Sequence, residues 1–182
     1  LDARMGAPYL KAITGDHPAF ITTGLGILLE ALFAFVVTMA AFATLIDRQR
    51  AAAKTTFLLD SGDMFTGTLS VLTQGEALME MMTVMGYDAM GVGNHEFDFG
   101  PDVLANFIIG FAGEEKFVSA NLDFMAEPEL QFLVDQEAIV PSTIVRKGGE
   151  WIGVVGATTP RLRTISSPRN VEVLDNVAEL VQ

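Results

Sequence analysis

From Thr55 onward the chain alternates between short apolar runs and segments whose apolar residues recur at helical spacing. An apolar run that ends in turn residues is typical of a buried strand, and apolar residues three and four apart predict a helix with one buried face. Strands that alternate with helices are joined by crossover connections, which make neighbouring strands parallel. The sequence therefore predicts an α/β fold with a largely parallel central sheet.

The positions of these elements follow from the same patterns. The predicted strands are 55–60, 87–93, 116–122 and two more within 139–160, joined by a Gly148-Gly149 turn. The predicted helices are 75–86 and 101–113. The first of these helices carries an apolar face made of Leu78, Met81, Met82 and Met85. We interpret this methionine-rich face as core packing and not as a ligand site.

An apolar run precedes the alternating region. It extends from Ile27 to Ile46 with Glu30 as its one charged residue, and about 20 such residues are enough to cross a bilayer as a helix. The run continues into 41–53, where apolar and charged residues occupy opposite faces of a helix. Two interpretations stay open for 24–46, a membrane anchor and a buried helix. The segment has neither a short basic start nor a clear small-residue cleavage site. We therefore do not expect it to be a cleavable signal as it stands.

These patterns divide the chain into two predicted parts. Residues 1–40 form an atypical N-terminal segment, and residues 41–182 form the α/β domain. The formal net charge of −12 argues against a nucleic-acid polymer as partner, because phosphate contacts need Lys and Arg. The chain has no cysteine, which excludes disulfides, thiolate metal sites and cysteine nucleophiles. Bound metal would have to supply the positive charge for any phosphate chemistry.

Two polar loops follow two of the predicted strands, at Asp60–Gly67 and Gly93–Gly100. In open α/β sheets, ligands bind outside the carboxyl ends of the strands. Taken alone, Asp63 suits a turn or a helix cap, and a single histidine such as His95 is more often a structural residue. Together the loops offer a carboxylate that can bridge two cations, an amide ligand, and a histidine that Asp98 could orient.

The stretches LLDSGDMFTGT and YDAMGVGNHEFDFG carry a family resemblance. They closely resemble the second and third motifs of the calcineurin-like metallophosphoesterases, in the branch of the 5′-nucleotidases and 2′,3′-cyclic phosphodiesterases. ATLIDRQRA resembles the helix before the first of these motifs, and SANL and GATTP resemble later strand ends. The resemblance covers about 41–160. It implies part of a metallophosphoesterase fold, which in the complete family domain has four layers, α/β/β/α.

The resemblance also implies roles for individual residues. Asp63 would bridge two metal ions, and Asn94 would ligate one of them and contact the substrate phosphate. His95 would contact the phosphate as the catalytic histidine, and Asp98 would orient His95 and raise its pKa. Asp60 and Glu96 would have a structural role and would hold these groups in place without ligating metal themselves.

The function that the resemblance implies is metal-dependent hydrolysis of a phosphoester, of the 5′-nucleotidase type, by a metal-bound hydroxide. The cofactors would be two divalent ions, among Mn, Zn, Fe, Mg and Ca, since oxygen and nitrogen ligands suit all of them. The substrate would be a small phosphoester, most simply a nucleotide. By the same resemblance the protein would be exported, to the periplasm or the cell surface.

The sequence departs from the family pattern at both ends. No Asp-x-His motif precedes the ATLIDRQRA helix. Asp16 and His17 are adjacent, and because adjacent residues of an extended chain point to opposite sides, they do not reproduce that motif. No histidine follows His95, so the family's Gly-His-x-His motif is absent from these residues. We therefore expect an N-terminal part of a larger enzyme, with little activity on its own.

Three hypotheses remain at this point. The chain is part of a two-metal phosphoesterase, or a non-catalytic fragment of one, or a module that 24–46 anchors to a membrane. A partial sheet leaves an open strand edge and uncovered apolar surface. The sequence therefore also predicts self-association.

Overall fold

The computed structural model of the protein describes residues 24–111, 115–174 and 177–180. Contacts between residues divide the chain into two compact units, Leu1–Ala41 and Phe42–Gln182. The strands of the described residues are β1 (Leu59–Asp60), β2 (Ala89–Gly91), β3 (Phe117–Val118), β4 (Leu122–Asp123), β5 (Ile139–Val140), β6 (Ser142–Lys147), β7 (Glu150–Val155) and β8 (Glu172–Val173). The helices are α1 (Gly24–Ala52), α2 (Thr68–Thr73), α3 (Glu76–Met85), α4 (Pro101–Gly110), α5 (Pro128–Asp135), α6 (Leu162–Ile165) and α7 (Val177–Leu180).

The N-terminal apolar run forms a single helix, α1, of 29 residues. Among its described side chains only Ile46 is buried. The buried-helix interpretation of 24–46 stays a prediction. The part Leu32–Ala52 of α1 has a mean hydropathy of 1.4 and is long and apolar enough to cross a membrane. The anchor interpretation stays a prediction.

The central sheet has four parallel strands in the order β1-β2-β3-β5. Leu59 pairs with Ala89, Met90 with Phe117, and Val118 with Val140. Helices α2 and α3 connect β1 to β2, and α4 connects β2 to β3. The predicted parallel α/β fold is confirmed, although the strands at its centre have only two or three residues each.

Aromatic and methionine side chains fill the core beside this sheet. The Phe107 ring lies 4.8 Å from that of Phe65 and 5.2 Å from that of Phe111, both with edge-to-face geometry. Met82 and Met85 of α3 are buried, which confirms that the methionine-rich face packs in the core. The charged end of α1 is tied to the end of α3, where the Arg50 guanidinium donates hydrogen bonds to the carbonyls of Met85 and Gly86.

Strands β6 and β7 form the predicted antiparallel hairpin. Gly148 and Gly149 occupy its turn with φ of 60° and 87°, a conformation that glycine adopts without steric cost. Lys147, at the end of β6, donates hydrogen bonds of 2.8 and 2.9 Å to both oxygens of Asp88. This ion pair connects the hairpin to the residue that precedes β2.

The predicted strand at 116–122 is wrong in its length. The structure has β3 and β4 there, and the two strands belong to different sheets. The side chain of Asn121, which is fully buried, binds the backbone of Thr158, and Ala120 N–H donates to Gly156 O at 2.8 Å. The backbone between the strands therefore pairs with the 156–158 segment, and β4 continues as the partner of β8.

Four helices of the described residues, α2, α5, α6 and α7, were not predicted, and the longest of them is α5. It begins with Pro128 at its first position and buries Leu130 and Leu133, which lie three residues apart. A proline at the first position and this spacing are both helix signals. The segment was missed because it carries acidic residues and a short apolar face, which resemble a surface loop.

Candidate active site

The two polar loops lie side by side because β1 and β2 are neighbouring parallel strands and both loops leave the same edge of the sheet. Their backbones approach closely through glycines. A Cβ on Gly62, which has a φ of 92°, would lie 2.5 Å from the Gly93 nitrogen, well inside van der Waals contact. Only glycine fits at Gly62, so the sequence Ser-Gly-Asp permits the approach.

Glu96 holds the two loops together. Its Oε2 accepts hydrogen bonds from the N–H of Asp63 at 2.8 Å and of Gly93 at 2.7 Å, and its Oε1 accepts one from Met64 N–H. The side chain is fully buried. Burial raises the pKa of Glu96, while the three hydrogen bonds act in the opposite direction. The Glu96 side chain therefore fixes the backbones of both loops from the protein interior and does not face solvent.

Asp63 faces the second loop. Its Oδ1 accepts hydrogen bonds from the N–H of Asn94 at 3.0 Å and of His95 at 3.1 Å. Its φ of 65° is left-handed, a conformation that aspartate tolerates better than most residues. Asp63 does cap a turn, but this turn is the 3₁₀ turn of the second loop. It does not cap a helix in the first loop, to which Asp63 itself belongs. These bonds place Asp63 next to Asn94.

His95 and Asp98 form a pair at the mouth of the second loop. A 3₁₀ turn covers His95–Phe97, and this geometry brings residues three apart onto the same side. His95 Nδ1 lies 2.6 Å from Asp98 Oδ2. This hydrogen bond raises the pKa of His95. The bond occupies Nδ1 and leaves Nε2 as the ring nitrogen available to a substrate, and the side chain is 42% exposed.

The remaining predicted residue, Asp60, lies at the end of β1. Its Oδ1 accepts a hydrogen bond from Gly62 N–H at 2.8 Å, which closes the turn of the first loop. Burial raises the pKa of Asp60, and the pKa of the nearby Tyr87 is raised by burial and by the charge of Asp60. Asp60 thus shapes the loop that carries Asp63.

A buried polar cluster supports the base of the second loop. Thr158 Oγ1 donates a hydrogen bond to Val92 O at 2.5 Å and lies 3.2 Å from Ser119 Oγ. Asn121 fixes the Thr158 backbone with bonds of 2.7 and 2.8 Å. The SANL and GATTP segments therefore meet directly beneath the strand that leads into the site.

The proposed metal ligands supply an incomplete donor set. Across the described ranges, no three His, Cys, Asp or Glu side chains cluster in a way that would hold a metal ion. Asp63 Oδ1 accepts the Asn94 backbone N–H, but the side chains of these two residues alone do not make up a metal centre, which in proteins needs at least three or four donors. The adjacent pair Asp16 and His17 lies outside the described residues.

Sequence reasoning missed one polar contact of the pair. Ser166, 68 residues further along the chain, donates a hydrogen bond of 2.8 Å from Oγ to Asp98 Oδ1. No spacing or motif in the sequence connects the two residues.

Known proteins resemble this chain over most of its length. No family model matches the chain. The trifunctional nucleotide phosphoesterase protein YfkN of Bacillus subtilis (strain 168) is 36% identical over 76% of this chain and 11% of its own length. A probable 5′-nucleotidase of Treponema pallidum (strain Nichols) is 35% identical over 97% of this chain and 30% of its own length.

Solved structures give the same result. A 5′-nucleotidase precursor from Thermus thermophilus is 41% identical with a TM-score of 0.66, over 76% of this chain and 28% of that one. The NAD nucleotidase of Haemophilus influenzae is 28% identical with a TM-score of 0.64, over 77% of this chain and 24% of that one. The chain spans less than a third of the length of each of these proteins. These likenesses confirm the family resemblance, and the chain belongs to the 5′-nucleotidase family of nucleotide phosphoesterases.

Proposed function

We propose that this chain contributes the His95–Asp98 pair to a site that hydrolyses phosphate esters of nucleotides. The observation that carries the proposal is the 2.6 Å bond between His95 Nδ1 and Asp98 Oδ2, in a loop whose neighbour presents Asp63. The names of the relatives, nucleotide phosphoesterase and 5′-nucleotidase, supply the substrate class.

The chemistry assigned to His95 follows from its protonation. Asp98 raises the pKa of His95, so a larger share of the imidazole is protonated near neutral pH. A protonated ring with Nε2 free can balance charge on the phosphoryl oxygens or give a proton to the leaving oxygen. Asp98 fixes the tautomer and the direction in which Nε2 points.

Asp63 and Asn94 are proposed as metal ligands within a larger donor set. The Asp63 backbone is held by Glu96, and its Oδ1 by the Asn94 and His95 amides, so its position is fixed before any ion binds. Divalent ions at this place would neutralise phosphate charge and acidify water. Elemental mass spectrometry after growth with manganese and zinc tests the assignment, and Asp63→Asn should lower the metal content per chain.

A second proposal concerns the location of the protein. The exposed apolar helix α1 favours an exported protein that contacts a membrane through this helix. Fractionation of cells that produce the protein tests this, and recovery in the soluble cytosolic fraction would contradict it.

The function is tested by substrate hydrolysis in the longest natural protein that carries this chain. The substrates are 5′-AMP, assayed by release of inorganic phosphate, and 2′,3′-cyclic AMP and a nucleotide sugar, assayed by formation of a nucleoside monophosphate, with manganese or zinc present. We expect hydrolysis of at least one of them, and loss of most of it in Asp63→Asn. The control Asp135→Asn removes the same charge from an exposed position at the end of α5, and it should keep full activity. Equal activity in all three proteins would contradict the assignment of the site.

A further inference from the structure

Both oxygens of the Asp98 carboxylate are occupied. Oδ2 binds His95 Nδ1 at 2.6 Å, and Oδ1 accepts the Ser166 hydroxyl at 2.8 Å. The Asp98 side chain is 32% exposed, so without a second partner its carboxylate could rotate toward water. Two hydrogen bonds on different oxygens fix the plane of the carboxylate, and that plane sets the orientation of the imidazole.

Ser166 is itself held in place by the segment that carries it. Its N–H donates a hydrogen bond of 3.0 Å to Leu162 O at the start of α6, and Leu162 is fully buried. On its other side, Val171 is also fully buried. The hydroxyl therefore comes from a segment that buried residues fix at both ends.

A second polar contact also holds this segment close to the second loop. Arg169 Nη2 lies 2.7 Å from Asp102 Oδ1 in the first turn of α4. A Cβ on Gly100 would lie 2.7 Å from Arg169 Nη2, so glycine at this position leaves room for the guanidinium. The 162–171 segment thus makes two polar contacts with this region. Ser166 binds Asp98 in the second loop, and Arg169 pairs with Asp102 in α4, the helix that follows the loop.

We propose that Ser166 is a positioning residue of the site, and that its hydroxyl holds Asp98 in the orientation that aligns His95 with the substrate. The inference rests on the proposed function. Ser166 touches neither substrate nor reacting atoms, and it acts through Asp98. Partners that orient an active-site side chain in this way typically contribute roughly 10- to 100-fold to activity.

The first test needs no activity. The chain has two histidines, His17 and His95, so a His17→Gln background leaves one imidazole in a proton–nitrogen NMR spectrum at fixed pH. We expect a sharp Nδ1 proton signal in this background, broadened by solvent exchange in Ser166→Ala. Ser166→Thr keeps a hydroxyl and should restore the signal. Ser167→Ala changes the exposed neighbour and should have no effect. The same spectra report whether each variant is folded.

The second test uses the longest natural enzyme. We expect Ser166→Ala to lower kcat for nucleotide hydrolysis by about tenfold with little change in KM, and Ser166→Thr to recover most of it. If His95→Ala and Asp63→Asn leave hydrolysis intact, the proposed function fails, whatever the NMR result. If those variants lose activity while a folded Ser166→Ala keeps both its kcat and its Nδ1 signal, the inference about Ser166 is overturned alone.

Discussion

At the scale of single residues, the candidate site depends on the fully buried carboxylate of Glu96. Glu96 accepts three backbone N–H groups, from Asp63, Met64 and Gly93, in two loops that lie far apart in the sequence. A carboxylate has acceptor sites for all three and donates nothing. These three backbone N–H groups explain why a glutamate, Glu96, stands between His95 and Asp98 in the sequence.

Replacing Glu96 by glutamine tests this explanation. The amide keeps one acceptor oxygen and places an NH₂ group against at least one backbone N–H, which leaves a buried donor without a partner. We expect a loss of about 1–3 kcal/mol in the free energy of unfolding, measured by urea denaturation. Glu80→Gln, on the exposed side of α3, is the matched control and should change it by less than about 0.5 kcal/mol. Equal stability of the two variants would argue against the bridging role.

The His95–Asp98 pair predicts a pH dependence. The pKa of His95 is raised above its ordinary value of 6.5 by the hydrogen bond to Asp98. Because the folded state binds the proton more tightly, the pair stabilises the fold fully below pH 6.5, and this contribution disappears as pH rises through the raised pKa.

Thermal unfolding from about pH 5.5 to about pH 9 measures this contribution. Asp98→Asn should have a lower Tm than the unaltered chain at acid pH, and the difference should shrink at alkaline pH. The effect will be small because the His95 side chain is 42% exposed. A difference in Tm that stays constant over the whole range would show that the pair does not titrate as described.

Single residues also show where sequence reasoning ends. The Gly-Asn-His-Glu-Phe-Asp run places His95 and Asp98 three apart, and the loop after β1 contains Asp63, so all three were site candidates from the sequence alone. Ser166 was not, because its contact with Asp98 spans 68 positions and forms only when α6 packs on the fold. A Ser-Ser-Pro stretch has no pattern that distinguishes such a residue from an ordinary turn.

At the scale of elements, the close approach of two strand-end loops creates the site. Gly93 has ordinary backbone angles, yet a Cβ there would lie 2.7 Å from Asp63 N and 2.8 Å from Glu96 Oε2. Any side chain at Gly93 must therefore displace Asp63, Glu96 or both. Apolar periodicity predicted the strands of the central sheet and the helices α3 and α4, but it did not predict how short β1 and β2 are. Asp60, at the end of β1, accepts the Gly62 N–H and forms a turn there that periodicity does not reveal.

Gly93→Ala is the corresponding variant. We expect it to destabilise the fold by about 1–3 kcal/mol through overpacking, and to lower hydrolysis in the longer enzyme because Asp63 moves. Gly153→Ala is a matched control, since a Cβ there meets nothing within 4 Å and the residue also has ordinary backbone angles. Denaturation curves of both variants, compared with the unaltered chain, measure the difference. Similar stability of the two would mean that the loops are farther apart than described.

At the scale of the whole molecule, apolar surface stays uncovered in the described residues. Along α1, Val37 and Leu45 are 50% and 52% exposed, and on the β6–β7 hairpin Ile144 and Trp151 are 60% and 62% exposed. We interpret these exposed apolar groups as a surface for self-association or membrane contact, which stays a prediction. Composition predicted the excess of apolar residues but not where it would lie.

We predict that the chain self-associates through this exposed apolar surface. Sedimentation velocity of the chain at several concentrations should show mass that rises with concentration in buffer, and a single protein monomer in mild detergent. A chain limited to the unit Phe42–Gln182 removes most of α1 and separates its contribution from that of the hairpin. A monomer at every concentration in buffer would contradict the prediction.

The measurement that tests the account most directly is the kcat of nucleotide hydrolysis in the longest natural protein that carries this chain, with and without His95→Ala. Removal of a group that transfers a proton or balances transition-state charge costs about 10²- to 10⁴-fold. We predict a fall of that size in kcat with KM little changed, in a protein that keeps its fold. A His95→Ala enzyme with the kcat of the unaltered protein would contradict the central claim that this loop carries the catalytic pair.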